Sequence, residues 1–234
     1  MAEDLDFETF ISISPKVFGI YLFDVKNHKN LYNQELLINN NAHHIDFVSL
    51  DKFLSDNIFK IEKLAGKFIK NISLIIEHEK IKNINLGIKR KNYEKIISKK
   101  YFKNTLIDAK DLFNENFQSE RIMHIILNKF FVNGNNYSSF EDNLNGDFFC
   151  VELKFISISK DLTTQIENIL EKYQININEY IDGFYIKNLF QNNFMSISNM
   201  AYKVKTGFNI NEVKLIPKNY KKTGIFEKFF QLFS

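Results

Sequence analysis

The run Phe7-Glu8-Thr9-Phe10-Ile11-Ser12-Ile13-Ser14, the break Pro15-Lys16, and the run Val17-Phe18-Gly19-Ile20-Tyr21-Leu22-Phe23-Asp24 decide how this chain is read. Both runs are rich in Phe, Ile, Val and Tyr, which suit a pleated, half-buried surface, and the Ser-Pro pair between them is turn chemistry. Leu31–Ile38 predicts a third strand, and the polar patch Asn39–His44 ends it. From Phe47 to Phe68 the apolar period changes. Val48, Leu50, Phe53, Leu54, Ile58, Ile61, Leu64, Ala65 and Phe68 fall on one helical face, which predicts a helix packed on the strands. Ile72–Glu77 then reads as a buried strand. Strands, helix, strand is an α/β opening.

The middle has another texture. Ile84–Ile88 predicts a short strand, Tyr93–Lys100 is polar without a clear period, and Leu106–Phe117 predicts a helix. Strand-like Arg121–Val132 and Phe148–Ser159 flank a loop, Asn133–Asp147, that carries Asn-Gly at 133–134 and at 145–146, a turn signal. Lys160–Tyr173 has helical spacing through Leu162, Ile166, Ile169, Leu170 and Tyr173, with Ser159 placed to cap it. Residues 84–174 therefore read as an α+β unit inserted into a domain made of 1–83 and 175–205. That domain is completed by a strand, Glu179–Phe184, and short helices at Ile186–Gln191 and Ser196–Lys205. Residues 206–223 read as a linker and 224–234 as an amphipathic helix.

The composition narrows the function classes. The chain has 234 residues, 44% hydrophobic and 25% charged, with 8 Gly and 2 Pro, enough for one or two globular cores. Its richness in Asn, Ile, Lys and Phe matches an AT-biased coding sequence more simply than a functional tract. A net charge of +3 is too small to argue for nucleic acid. The lone Cys150 has no disulfide partner and sits in the apolar run Phe148–Val151, the setting of an inert thiol. The acidic start lacks the pattern of a secretory leader, and no apolar run approaches the ~20 residues that span a bilayer. A cytoplasmic protein is expected.

Little chemistry is spelled out. His43-His44 has no Cys or His partner at ligand spacing, and adjacent histidines diverge in regular structure, so no metal is expected. His124, among Ile and Met, reads as a structural histidine. The carboxylate pairs Asp108/Asp111 and Glu141/Asp142 read as solvated, and no Gly-x-Ser-x-Gly elbow supports a hydrolase. Lys89–Lys100 is basic and holds Tyr93, yet no nucleic-acid motif frames it, so a solvated charged face is the reading the residues give.

Several features, in this order, resemble the bacterial actin-like cell-division protein FtsA. They are the early strands followed by a helix ending Glu62-Lys63-Leu64-Ala65-Gly66, and the strand Ile72–Glu77. Next come Arg121–Gly134, then Leu144-Asn145-Gly146 with Val151–Ile156, and the closing Lys160–Asn178. The likeness covers most of residues 7–190 and lies in order and spacing. It implies an α/β, actin-like (ribonuclease H-like) first domain with an inserted small α+β subdomain, and a chain without the family's second lobe. The pilus-assembly relative PilM has the same parts and is the nearest alternative.

The family's first phosphate loop reads Asp-Ile-Gly-Thr, and the matching stretch here is Ser12-Ile13-Ser14-Pro15. Ser12 has no carboxylate to organise a magnesium shell, Ser14 adds a side chain where bare backbone is needed, and Pro15 has no N–H. No Gly-Gly or Gly-x-Gly occurs anywhere. The expectation is a non-catalytic protein with no cofactor.

FtsA ends in a short amphipathic helix on the inner face of the membrane. At the matching end, Ile225, Phe226, Phe229, Phe230 and Phe233 share one helical side, with Lys228 opposite and Lys221 and Lys222 upstream. Each lysine near an anionic surface adds ~1 kcal/mol. One short helix gives weak binding that self-association strengthens. The resemblance thus implies a divisome adaptor, peripheral on the cytoplasmic membrane, binding division proteins, with direct contact to the FtsZ tail in doubt. A PilM-like pilus or secretion adaptor is the alternative, and a small enzyme with an unrecognised site is the alternative of another class.

Overall fold

The computed structural model describes residues 6–38, 44–140, 144–191 and 194–214. They fall into two units, each taken by itself. The first comprises the described residues within Met1–Ile81 and Ser159–Thr206, and the second those within Lys82–Ile158 and from Gly207 on.

In the first unit a five-stranded sheet is built from β1 (Phe7–Ile13), β2 (Val17–Asp24), β3 (Lys29–Leu37), β4 (Asn71–Ile76) and β9 (Asn176–Asp182), in the order β3-β2-β1-β4-β9. The first three strands form an antiparallel meander, and β4 and β9 add in parallel to β1. β1, β2 and β4 read as apolar runs because both faces of the sheet are covered. Phe10, Tyr21, Phe23, Ile75 and Ile181 meet the short helices α4 (Gly183–Leu189) and α5 (Ile197–Lys205) on one face. On α1 (Phe47–Ala65), the longest helix among the described residues, Leu50, Phe53, Leu54, Ile58 and Ile61 are buried. Asp46 caps this helix by accepting from the Val48 and Ser49 amides, and Gly66 ends it in the left-handed conformation, φ 68°. Buried Asn57 is bonded at both ends of its amide: the nitrogen donates to the Phe53 carbonyl, and the oxygen accepts from the Tyr32 hydroxyl of β3 at 2.6 Å.

The helical face drawn from the sequence is too wide. Val48 and Leu64 are exposed, and Phe68 lies past the helix end, 79% exposed.

In the second unit β5 (Lys82–Ile96), β8 (Asn145–Ser159), β6 (Glu120–Val132) and β7 (Asn135–Tyr137) form a sheet in the order β5-β8-β6-β7, with α2 (Lys99–Asn116) contributing Phe102, Leu106, Ala109 and Phe113 to its core. Phe113 stacks on Phe155 with ring centres 4.7 Å apart. Asn133 and Gly134, both at positive φ, turn β6 into β7, as the Asn-Gly pair predicts.

Several boundaries differ from those read off the sequence; β8, for one, starts at Asn145, so the second Asn-Gly pair lies in a strand rather than a turn. β5 runs through Lys89–Ile96 because β8 pairs with it along the same length; a bulge at Tyr93 and Glu94, both at positive φ, absorbs the register shift. The helix α2 starts at Lys99, where Ser98 accepts from the Tyr101 amide. The helix α3 (Lys160–Glu171), capped by Ser159 as expected, belongs to the first unit rather than the insert. The Tyr180 hydroxyl of β9 bonds Glu167, and Tyr173 just after the helix bonds Asp51 of α1 at 2.8 Å. Finally, residues 209–213, inside the expected linker, add to β6: the Leu127 amide donates to Asn211 and the Val213 amide to Ile125.

Candidate functional site

In open α/β sheets ligands bind beyond the carboxyl ends of the parallel strands. Here that end is formed by the β1–β2 turn, Glu77 after β4, and Asp182-Gly183 where β9 ends. The stretch Ser12–Pro15 lies there, as its sequence position requires. Ser14 closes the turn on itself. Its hydroxyl accepts from the amides of Lys16 (3.3 Å) and Val17 (2.9 Å) and donates to the Val17 carbonyl, while its own amide donates to the same carbonyl. The N–H groups that a phosphate would need are thereby satisfied within the turn.

Beside the turn the Tyr21 hydroxyl folds over Gly19, where a Cβ would come within 2.3 Å of it. This hydroxyl donates to Glu35 at 2.7 Å and lies 3.3 Å from the Ser12 hydroxyl. Burial, helped by the Glu35 charge, holds the phenol well above its ordinary range, so it stays protonated. Across the end, Glu77 lies against Gly183, where a Cβ would meet its Cγ at 2.3 Å, and pairs with Lys187 at 2.6 Å. Neighbouring His78 is buried, and its Nδ1 accepts from the Lys80 amide at 3.1 Å. Burial first, then Lys80, pushes its pKa below 6.5. An Mg-nucleotide, which the resemblance in the sequence would imply, does not fit these residues. The carboxylate position is a serine bonded to a tyrosine, and a tyrosine hydroxyl and a glutamate chain cover the two glycines.

The other residues singled out in the sequence lie apart. Lys221, Lys222, Ile225, Phe226, Lys228, Phe229, Phe230 and Phe233 are outside the described residues, as are His43, Glu141 and Asp142. Among the described residues no cluster of His, Cys, Asp and Glu could hold a metal, and no helix is long and apolar enough to cross a membrane. Cys150 is half-buried, its thiol pushed up by burial and by Glu152. In the basic stretch, Arg90 pairs with Asp108 of α2, and Lys89 sits 4.1 Å from the centre of the Phe148 ring. His124 is structural: its Nδ1 lies 2.7 Å from the buried Glu212 carboxylate, a partner 88 residues away that no local pattern announces.

Sequence reasoning missed a groove at the opposite end of the first unit's sheet. A cavity of about 1110 Å³ opens between the starts of β1 and β4 and the end of α1, and a second of about 550 Å³ shares Phe59, Glu62, Phe68, Ile69 and Lys70 with it.

No protein-family model matches the chain, and no curated relative does. Solved structures of similar shape exist. A protein with an actin-like ATPase fold and unknown function from Bacteroides thetaiotaomicron VPI-5482 is 11% identical, with 88% of this chain and 58% of that one covered and a TM-score of 0.35. The cytoplasmic domain of EpsL, an inner-membrane component of the type II secretion system of Vibrio cholerae, is 7% identical over 77% of this chain and 57% of that one, at 0.36. The PilM-PilN type IV pilus biogenesis complex gives 6% identity, 76% and 49% coverage, and 0.44. The chain thus spans about half to three-fifths of the length of these structures.

Proposed function

We propose that this chain is a non-catalytic adaptor with an actin-like first domain, one that holds proteins of a membrane-associated assembly together without turning over nucleotide. The observation that carries the reading is the self-satisfied end of the five-stranded sheet. Ser14 consumes the turn's amides, and Tyr21 and Glu77 occupy the space over Gly19 and Gly183. A phosphate-driven cycle needs open N–H groups and a metal carboxylate there. Titration calorimetry with Mg-ATP tests it: no heat above dilution is expected, and micromolar affinity would overturn it.

The assembly we put first is of the pilus or secretion kind, the setting named for two of the similar structures. The division setting is the second reading, favoured by the phenylalanine stripe of 224–234 and by the lost phosphate loop. In that reading the stripe lies in the interface of an anionic membrane. Liposome co-sedimentation of the full chain and of a chain ending at Thr223 separates the two. Loss of pelleting on truncation supports the clamp, and equal pelleting removes it.

A further inference from the structure

We propose that the groove at the amino ends of β1 and β4 is a docking site for an acidic partner segment that carries large apolar side chains. This deepens the adaptor reading and rests on it, since it names where the adaptor holds a protein.

The groove is apolar where it is open. Phe59 on α1 is 73% exposed and Phe68 beyond the helix is 79% exposed, and both line the two joined cavities. Scattered exposed apolar residues need no explanation, but two phenylalanines on one concavity are the anchoring surface of a recognition site. Its volume is above the ~300–1,000 Å³ usual for small-molecule clefts, which suits a chain segment.

The charge of the groove selects the segment. Lys63, Lys67 and Lys70 line it, and among the described residues none of them has a carboxylate partner. Lys67 instead lies 4.2 Å from the centre of the Phe7 ring. Two carboxylates are present: Glu8 pairs with Lys205 at 2.8 Å, and Glu62 accepts from the Ile69 amide at 3.1 Å, so the lysines lining the groove still outnumber the carboxylates. Uncompensated positive charge around an aromatic cleft favours an acidic occupant and disfavours basic ones. The chain's own end, residues 215–234, is basic, with Lys218, Lys221, Lys222 and Lys228 against Glu227, so repulsion opposes it. The concavity favours inserted side chains over a flat lipid surface.

The test uses the full chain and fluorescence anisotropy of a labelled synthetic peptide of Glu, Leu and Phe, beside a twin in which Lys replaces Glu. The acidic peptide is expected to bind roughly tenfold or more tightly than its twin, with affinity falling as salt is raised. Lys63→Glu with Lys67→Glu should reverse that preference, and Phe59→Ser with Phe68→Ser should abolish binding of both. All four side chains are exposed, so the variants keep the fold, and circular dichroism checks it. Equal affinity for the twins, or acidic binding unchanged by charge reversal, would overturn the proposal.

Three other occupants overturn it as well. Pelleting with phosphatidylglycerol vesicles that depends on Phe59 and Phe68, without peptide binding, would assign a lipid surface. Concentration-dependent dimers lost in the same variants would assign a second copy. A tenfold affinity gain in a chain starting at Asp6 would assign the chain's own acidic Glu3-Asp4 end. Mg-ATP calorimetry on the same sample keeps the outcomes apart, because nucleotide binding strikes the adaptor reading while peptide failure strikes only the groove.

Discussion

The two ends of the five-stranded sheet in the first unit have opposite characters. At the carboxyl end of β1, β4 and β9, Ser14 and His78 bond the backbone, Tyr21 bonds Glu35, Glu77 pairs with Lys187, and two glycines are covered. At the amino end, exposed Phe59 and Phe68 and three lysines without a carboxylate partner among the described residues line an open groove. The end where this kind of sheet usually does chemistry is closed, and the end usually left to packing is open. The contrast teaches that a fold does not carry its usual site with it: site chemistry depends on a few side chains that the fold tolerates but does not require.

The sharpest way to break the contrast is to exchange aromatic deletions between the ends. Tyr21→Ala removes a fully buried ring together with its bonds to Ser12 and Glu35. It should cost about 3–5 kcal/mol in urea unfolding. A loss under about 1 kcal/mol would mean that the carboxyl end is not sealed.

A smaller effect is expected from pH. Buried His78 is held neutral: its Nδ1 accepts an amide, and its pKa lies below 6.5 because of burial and Lys80, with Glu79 opposing and His44 adding slightly. As pH falls, the unfolded chain takes up this proton first. Stability is therefore full above pH 6.5 and declines as the pH drops from there toward the folded value. Thermal melts between about pH 7.5 and about pH 5 should show the decline, and the slope should flatten in His78→Gln. An unchanged slope in the variant would remove His78 as its source.

The smallest effect belongs to the open end. Phe59→Ser and Phe68→Ser should each change stability by less than about 0.5 kcal/mol, because these rings are mostly in water already. A cost near that of Tyr21→Ala would show that the groove is part of the core, and the docking proposal would fall with it.

Much of this architecture was legible locally. The β1–β2 pair, the swing to helical period at residue 47, the Ser159 cap and the Asn133-Gly134 turn are each written in a few neighbouring residues, so periodicity and turn chemistry suffice. That the Ser12–Pro15 turn has no carboxylate and lacks one N–H was legible too, since both are properties of residue type.

What the residues could not disclose alone depends on partners far along the chain. Lysine-rich 89–96 is a strand because β8, far along the chain, pairs with it. His124 is buried because Glu212 meets it across 88 residues. Phe68 and Leu64 obey the helical period of α1, yet stay exposed because the helix stops at Ala65 and neither is covered by a neighbouring element. Short-range order follows from backbone geometry and side-chain period, which a sequence carries. Which face is buried, and which end of the sheet stays open, follows from surfaces brought together only when the chain has folded.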